Sequence, residues 1–275
     1  MEKMPDLIDR AALARNRARA DADALFLQGA VADEVEERLN EVNRTFQSMA
    51  IVTGFRDFWA ARYPEAVIVP DDETLPLQPK AHDLVVHAMC LHWANDPVGQ
   101  LVQCRHALQP DGLLLATCLG GQTLQELRAA LAEAEVAITG GLSPRIAPMG
   151  EIRDLGALLQ RAGFALPVAD SMPMTASYAH AFHLMHDLRK MGEGNALTGR
   201  IKHSTRRNVL TEAASIYASN FSNDDGRVDA TFEIITLTGW APSDDQPQPL
   251  RPGSAKARLA DALGTFEMPL DRSKD

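Results

Sequence analysis

The chain has 275 residues, 45% hydrophobic and 23% charged, which is the composition of an ordinary globular protein. Its formal net charge of −10 argues against binding to nucleic acids or anionic membranes, because like charges repel. No apolar run approaches the roughly 18 residues of a membrane-spanning helix, so we expect no membrane insertion.

The cysteines indicate a reducing compartment. Cys90, Cys104 and Cys118 are fourteen positions apart, which suits neither a zinc knuckle nor a disulfide framework. We expect them to be reduced and buried. The N-terminal sequence MEKMPDLIDR lacks the apolar core of a signal peptide. Together these features predict a cytoplasmic protein.

Residues 1–45 are predicted to form two N-terminal cap helices, broken near Gly29. Their apolar residues recur at helical spacing and are Leu13, Leu25, Leu27, Val31, Val35 and Leu39. Arg15, Arg17 and Arg19 are offset by the flanking Asp9, Asp21 and Asp23, which predicts a solvated helix face rather than a phosphate-binding site.

Residues 46–240 alternate between strand and helix patterns. Strands are predicted at 49–53, 67–69, 83–89, 113–118, 166–168 and 231–240, the last of them central. Helices are predicted at 55–66 and 98–108 and, after a Thr123 to Glu126 capping box, through Val136. Pro110-Asp111-Gly112 predicts a turn, and Gly163 predicts the end of a further helix.

A helical insert at about 178–221 precedes the last strand, and 241–275 is predicted to be a mobile tail because of its Pro, Asp and Gln content. The alternation predicts an α/β fold, a doubly wound, mostly parallel sheet with helices on both faces.

Four peptides in this domain carry a family resemblance: LHWAND, LQPDGLLLATCLGGQTLQELR, GGLSPRIAPMGEIRDLGALLQRAGF and DLRKMGEGN. They resemble class I S-adenosylmethionine-dependent methyltransferases. Within that group they are most similar to the methyltransferase-like assembly factors of respiratory complex I, known as protein arginine hydroxylases. They are more loosely similar to the malonyl-acyl-carrier-protein O-methyltransferases of the biotin pathway. The resemblance implies a Rossmann-like sheet, S-adenosylmethionine as cofactor, and a possible complex I subunit as partner.

The first turn departs from this family. The resemblance implies a D-x-G-x-G loop, but the matching stretch AIVTGFRD keeps only Gly54 and has Val52 where the acid is expected. We expect Phe55 and Arg56 to fill the volume of the methionine moiety. Only residues 55–66 separate this turn from the next strand, which predicts that one strand-helix unit is missing.

Four further residues are candidates for the cofactor site. Asp71 and Asp72 resemble the family acid that accepts from the adenine amino group; alternatively one of them binds the ribose hydroxyls, or both form a solvated pair. His92 and Trp93 follow a strand, and the resemblance implies that they lie beside the cofactor crevice. The alternative for Trp93 is a packed aromatic side chain.

Ser143, Arg145, Arg206 and Arg207 are candidates for the mouth of the same crevice, where an arginine could pair with a substrate carboxylate or an acidic partner segment. His180, His183 and His186 recur every three residues, but no acid accompanies them, so we expect a solvated helix face and no metal site.

Two hypotheses follow. The chain is either a methyltransferase acting on a small carboxylate or a protein side chain, or a binding and assembly factor that has lost part of its cofactor site. Arginine hydroxylation, which the resemblance implies, lies between the two, but nothing in the sequence supplies its oxidant or metal. No nucleophile motif identifies a catalytic residue, and methyl transfer needs none, because the sulfonium donor is already activated.

Overall fold

The computed structural model describes residues 6–246, 260–261 and 264–266. The chain divides into two compact units, Met1–Pro242 and Ser243–Asp275. In the smaller unit the Ser243 amide donates to Gln246 Oε1 at 3.2 Å. Most of the predicted tail lies outside the described residues. The division into cap helices, domain and tail stays a prediction.

The described residues of the larger unit form a six-stranded sheet in the order β2-β1-β3-β4-β6-β5. The strands are β1 Met49–Thr53, β2 Val67–Val69, β3 His82–Ala88, β4 Leu108–Leu119, β5 Ala165–Tyr178 and β6 Val228–Trp240. The first four are parallel, whereas β6 runs antiparallel between β4 and β5. This arrangement confirms the predicted mostly parallel sheet and its internal last strand.

Eight α-helices accompany the sheet in the described residues. They are α1 Arg10–Arg17, α2 Phe26–Glu41, α3 Arg56–Arg62, α4 Pro97–Ala107, α5 Gln125–Thr139, α6 Ile152–Ala162, α7 Ala181–Lys190 and α8 Arg207–Phe221. Asp96 caps α4 by accepting from the Gly99 amide, and Pro97 stands in its first turn. Gly163 ends α6 with a φ of +80°, as predicted. None of the described helices is long and apolar enough to cross a bilayer.

The sheet buries both faces. Leu84 and Val86 of β3 pack in the core that α2, α5 and α8 cover, whereas Val85 packs in the core that α4 and α6 cover. A strand buried on both faces has no polar alternation, which explains why Leu84, Val85 and Val86 follow one another in β3.

The break between the first two helices was predicted at the wrong residue. A 3₁₀ turn, Ala22–Ala24, separates α1 from α2, and the Asp21 carboxylate accepts from the Asp23 amide at its start. Gly29 lies inside α2, where its amide donates to the Leu25 carbonyl at 3.0 Å. A lone glycine in an otherwise helical segment is tolerated when the hydrogen bonds around it are complete.

The predicted capping box is also wrong, because β6 engages both of its side chains. Thr123 Oγ1 accepts from the Glu233 amide at 3.0 Å, and the Glu126 carboxylate accepts from the Thr231 amide at 3.2 Å. Leu124, with a φ of +55°, precedes the first residue of α5 instead.

Two strands are longer than predicted. Pro110-Asp111-Gly112 is not a free turn but an irregularity inside β4, where Asp111 has a φ of +62° and the register with β3 shifts. β5 extends far beyond 166–168 because it pairs with β6 as far as Tyr178. The helix predicted at 55–66 is shorter in the structure, where α3 spans Arg56–Arg62.

Candidate functional site

Two hollows lie near the carboxyl ends of the central strands. The larger, here the crevice, has a volume of about 910 Å³ and is bounded by α1 and the segments that follow β1 and β2. Its lining includes Arg10, Arg17, Gly54, Phe55, Asp71 and Asp72. Ligands of open α/β sheets bind outside the carboxyl ends of the strands, so the crevice is where this fold holds a cofactor.

Asp71 is the buried acid of the crevice. Its side chain is 4% exposed, and Arg17 Nη1 lies 2.7 Å from its Oδ1 and Arg10 Nη1 3.3 Å from its Oδ2. Burial alone raises the pKa of Asp71, but the two guanidinium groups outweigh it and lower the pKa to about 2. A solvated pair is therefore wrong for Asp71, whereas the Asp72 side chain is 69% exposed.

Arg17 is the residue that sequence reasoning misjudged. Its side chain is only 10% exposed, so the predicted solvated face is wrong at this position, because α1 packs this side against the strand ends. Nη1 is paired with Asp71, but buried Nε and Nη2 have no hydrogen-bond partner among the described residues. Burial lowers the pKa of Arg17, but the Asp71 carboxylate outweighs this effect. The pKa therefore lies above its usual value and the guanidinium stays charged.

Gly54 makes room for that guanidinium. A Cβ at this position would clash with the Arg17 guanidinium carbon, so only glycine permits the approach. Phe55 packs beneath Arg17, whose Cζ lies 5.7 Å from the ring centroid. Arg56 donates instead to the Ile68 carbonyl at 3.1 Å. Phe55 and Arg56 therefore line the crevice without filling it, and the side chain over the turn is Arg17.

The second hollow, here the inner pocket, has a volume of about 190 Å³. Trp93, in the 3₁₀ turn Leu91–Trp93 after β3, belongs to its wall, and His92 precedes it in the same turn. Trp93 Nε1 donates to Glu193 Oε2 at 2.8 Å, and His92 Nε2 lies 3.5 Å from the same oxygen. Arg10 Nη1 lies 3.5 Å from the Trp93 carbonyl, so the backbone of Trp93 contacts a crevice residue while its indole contacts the inner pocket.

Glu193 was not among the predicted site residues. Its side chain is 8% exposed, and it follows α7 between Gly192 and Gly194. Burial raises the pKa of Glu193, but His92, Arg17 and Trp93 together lower it below the usual value. Gly192 has a φ of +79°, and a Cβ there would lie 3.2 Å from the Arg17 Cα. The available signal was an acid between two glycines in the family peptide DLRKMGEGN.

Ser143 and Arg145 are held by α5. Arg145 donates to Glu135 through Nε at 3.0 Å and Nη2 at 2.7 Å, and Ser143 Oγ donates to the same carboxylate. These bonds, led by those of Arg145, lower the pKa of Glu135 to about 2. Arg145 Nη1 donates to Thr205 Oγ1 at 2.9 Å, so all three guanidinium nitrogens are engaged where the side chain lines the inner pocket.

The remaining candidates lie elsewhere. Arg206 and Arg207 are exposed at the start of α8 and line neither hollow. His180 Nδ1 accepts from the His183 amide at the start of α7. Within the described ranges no three His, Cys, Asp or Glu side chains are grouped to hold a metal ion. The three cysteines are free and buried, as predicted.

The residues of the crevice fit an amino-acid nucleoside such as S-adenosylmethionine. The unpaired Nε and Nη2 of Arg17 can donate to a carboxylate, and exposed Asp72 can accept from a hydroxyl or amino group. Of the predicted cofactor residues, the structure brings Gly54, Asp71 and Asp72 to the crevice and Trp93 to the inner pocket beside it, while His92 contacts Glu193 of the pocket wall.

Comparison with known proteins identifies the family. Residues 26–116, from α2 into β4, match the family described as "Methyltransferase domain". The chain is 37% identical over 220 residues to the mitochondrial arginine-hydroxylase NDUFAF5 of Danio rerio, covering 80% of this chain and 68% of that protein. It is 34% identical over 182 residues to the malonyl-[acyl-carrier protein] O-methyltransferase of Xylella fastidiosa (strain M23), covering 66% and 59%.

The fold was also compared with solved structures. The crystal structure of a putative methyltransferase from Bacillus halodurans aligns with a TM-score of 0.49 at 14% identity, covering 76% of this chain and 98% of that one. The chain spans about two thirds of the length of the arginine hydroxylases that it matches. It belongs to the methyltransferase-domain family that includes arginine-hydroxylase NDUFAF5.

Proposed function

We propose that the crevice binds S-adenosylmethionine and that the chain is an enzyme acting with this cofactor on a protein side chain. The observation that carries the proposal is the guanidinium of Arg17, nine-tenths buried in the crevice with two nitrogens, Nε and Nη2, that have no hydrogen-bond partner among the described residues. An unpaired buried donor costs about 1–3 kcal/mol, and a ligand carboxylate would remove that cost. The methyltransferase-domain match, which includes β1, β2 and β3, supports the choice of ligand.

The roles of the residues follow from their positions. When bound, the cofactor would supply an activated methyl group, carried on a sulfonium, for an acceptor side chain. Arg17 would hold the ligand carboxylate, and α1 would cover the ligand and exclude water. Trp93 contacts Arg10 on one side and the inner pocket on the other, so an acceptor in that pocket would lie beside the ligand.

The relatives support a protein acceptor rather than a small carboxylate. The arginine hydroxylases share 37% identity with this chain and the O-methyltransferase 34% over a shorter span. By the same resemblance we propose a respiratory complex I subunit as the partner. A cytoplasmic location stays a prediction, consistent with the free cysteines.

Calorimetric titration with S-adenosylmethionine and S-adenosylhomocysteine tests this function. Arg17→Lys keeps the positive charge but removes the Nε and Nη2 donors, so we expect binding to weaken about tenfold to a hundredfold. Arg19→Lys, at an exposed position of the same segment, is the matched control and should bind like the wild type. Folded wild-type protein that releases no heat at millimolar ligand would overturn the proposal.

A second candidate function, a binding and assembly factor without methyl transfer, is favoured by one observation. Both oxygens of Asp71 are paired with Arg10 and Arg17, and Val52 stands in place of the family acid, so no buried carboxylate of the described crevice is free for ribose hydroxyls.

Gly54→Val separates the two functions, because the new side chain would displace Arg17 from the crevice. The assembly function expects co-purification with an identified complex I subunit to survive this substitution. The enzymatic function expects both S-adenosylmethionine binding and modification of the partner, followed by mass spectrometry, to be lost.

A further inference from the structure

The stretch between Glu193 and Glu212 contains no acidic residue, in a chain whose formal net charge is −10. Its cations are Arg200, Lys202, Arg206 and Arg207. Residues 202–207, here the basic segment, are mostly exposed and lead from the end of α7 into α8. Positive charge concentrated on one segment of an acidic protein attracts an anionic partner to that place.

The cations of the basic segment have no partner inside the molecule. Arg200, just before the segment, is paired with Asp9 at 2.9 Å. Lys202, Arg206 and Arg207 are exposed and form no ion pair or side-chain hydrogen bond with any described residue. Arg206 and Arg207 also stand at the start of α8, where the helix dipole disfavours positive charge. These charges therefore do not stabilise the fold and are available to a partner.

A groove between α5 and the loop that follows it adjoins the basic segment. The groove has a volume of about 190 Å³, and its lining includes Arg128, Leu131, Leu142 and Ile146. Arg145, which also lines it, donates to Thr205 Oγ1 at 2.9 Å, and Asn195 Nδ2 donates to the Pro144 carbonyl at 2.9 Å. Since Thr205 belongs to the basic segment, the groove and the segment form one surface.

The groove offers apolar contacts and positive charge. Leu142 is 69% exposed, which is unusual for a leucine beside an apolar groove unless a partner covers it. Arg128 is exposed and donates only to the Thr123 carbonyl, at 3.3 Å. Glu135, the acid in the lining, is already paired with Arg145. An anionic ligand therefore meets no unpaired carboxylate in the described lining of the groove.

Among anionic partners, an acidic protein segment fits this surface best. The described lining of the groove contains no aromatic side chain on which a nucleic-acid base stacks, and the net charge of the chain repels a long polyanion. A membrane surface is met by a broad apolar face rather than by a small groove. A peptide can place one apolar side chain in the groove and its carboxylates on arginines, which bind carboxylates in a bidentate manner.

We propose that the groove and the basic segment form a docking surface for an acidic segment of a partner protein. An apolar side chain of that segment enters the groove beside Leu142, and its carboxylates pair with Lys202, Arg206 and Arg207. The proposal rests on the proposed function in one respect, the existence of a protein partner, and adds the chemistry of that partner and the surface that it contacts. It concerns docking alone and requires no cofactor.

Fluorescent peptides test the docking surface by anisotropy, without cofactor. The acidic peptide has a central leucine flanked on both sides by aspartates and glutamates. The amide peptide replaces these acids by asparagines and glutamines, and the glycine peptide replaces the leucine by glycine. We expect the acidic peptide to bind best, the amide peptide at least about tenfold more weakly, and the glycine peptide about fivefold more weakly. Added salt should weaken the acidic peptide more than the amide peptide.

Arg206→Ala combined with Arg207→Ala tests the basic segment. Since two exposed and unpaired cations are removed, we expect the acidic peptide to bind at least about tenfold more weakly and the amide peptide to bind as before. Arg153→Ala combined with Arg161→Ala is the matched control, because it removes two exposed arginines from α6, on the other face of the sheet. The control should bind every peptide like the wild type.

Leu142→Ser tests the groove separately. It should lower the affinity of the acidic peptide to that of the glycine peptide, because the apolar contact is lost. Val168→Ser, at an exposed apolar position of β5, should leave the difference between these two peptides unchanged.

Equal binding of the acidic and amide peptides to the wild type would overturn the proposal, and this comparison needs no variant to fold. Tighter binding of a thymidine oligonucleotide or of phosphatidylserine vesicles would overturn it in favour of a nucleic acid or a membrane. If the acidic peptide binds as expected but calorimetry shows no S-adenosylmethionine binding, the proposed cofactor fails and the docking surface stands. The reverse result would leave the cofactor and remove the docking surface.

Discussion

The crevice and the inner pocket are neighbours with opposite electrostatic designs. The crevice, at about 910 Å³, is organised around a buried cation, Arg17, whose charge Asp71 balances. The inner pocket, at about 190 Å³, is organised around a buried anion, Glu193, which His92 and Trp93 orient. Among the described residues Arg17 keeps donors without a partner, whereas Glu193 presents a carboxylate to the inner pocket, so the two hollows suit ligands of opposite charge.

The two hollows also differ in their resemblance to the family: the crevice departs from it and the inner pocket resembles it. The crevice lies at AIVTGFRD, where the family glycines and acid are missing, and an arginine from α1 lies over the altered turn. The pocket takes lining residues from all four peptides that carry the resemblance. The altered turn and the family peptides therefore border different hollows of one sheet edge.

The largest expected effect comes from removing the balancing acid of the crevice. Asp71→Ala leaves Arg17 buried without its ion pair, and breaking a buried pair costs about 3–5 kcal/mol. Urea denaturation of the wild type and the variant measures this loss. Asp72→Ala, at the exposed neighbour, should change the free energy of unfolding by less than about 0.5 kcal/mol. Equal losses in the two variants would contradict a crevice built around the Arg17 ion pair.

Low pH should reduce the free energy of unfolding through acids at both hollows, by an amount between those of the other two predictions. In the folded protein the pKa of Asp71 falls from 3.8 to about 2 and that of Glu135, which holds the pocket wall through Arg145, from 4.5 to about 2. A lowered folded-state pKa contributes stability that is complete above the unfolded pKa and is lost as the pH falls towards the folded value. Unfolding free energies should therefore decline between about pH 4.5 and pH 2.

The contribution of Asp71 to that decline is about 2 kcal/mol. Denaturation curves at several pH values measure it, and Asp71→Asn should flatten the pH dependence over this range. A variant with the slope of the wild type would show that the Arg17 ion pair is not the titrating contact.

The smallest expected effect, on cofactor binding, is at the start of α8, a third region that borders neither hollow. Arg206→Ala combined with Arg207→Ala removes two exposed side chains that line neither hollow. The free energy of S-adenosylmethionine binding, measured by calorimetry, should change by less than about 0.5 kcal/mol, about twofold in affinity. A loss of tenfold or more would extend the cofactor site to the start of α8.

Local sequence signals predicted much of the fold. The β-branched run in β1, the apolar run in β3 and the stop at Gly163 depend on nearest neighbours along the chain, so their positions were predicted within a few residues. The prediction of a capping box at Thr123 was wrong because the Thr123 hydroxyl accepts from the amide of Glu233, more than a hundred residues away. Local propensity cannot anticipate a competing partner from a distant strand.

Sequence reasoning likewise predicted some residues of the candidate site and missed others. Sequence reasoning found Gly54, Asp71, His92 and Trp93, because the ends of parallel strands share one edge and the family peptides mark them. It missed Arg17, since helical periodicity does not say which polar side chain the docking of α1 will bury. It missed Glu193 because the contact with Trp93 joins two segments a hundred residues apart.

By itself, therefore, the sequence determined the alternation of strands and helices, the family and the altered first turn, all of which depend on neighbouring residues. Only the tertiary structure decided which charges are buried and with whom they pair. Burial depends on how α1 and the segment after α7 pack over the sheet edge, and desolvation then makes Arg17 and Glu193 the two charges that matter.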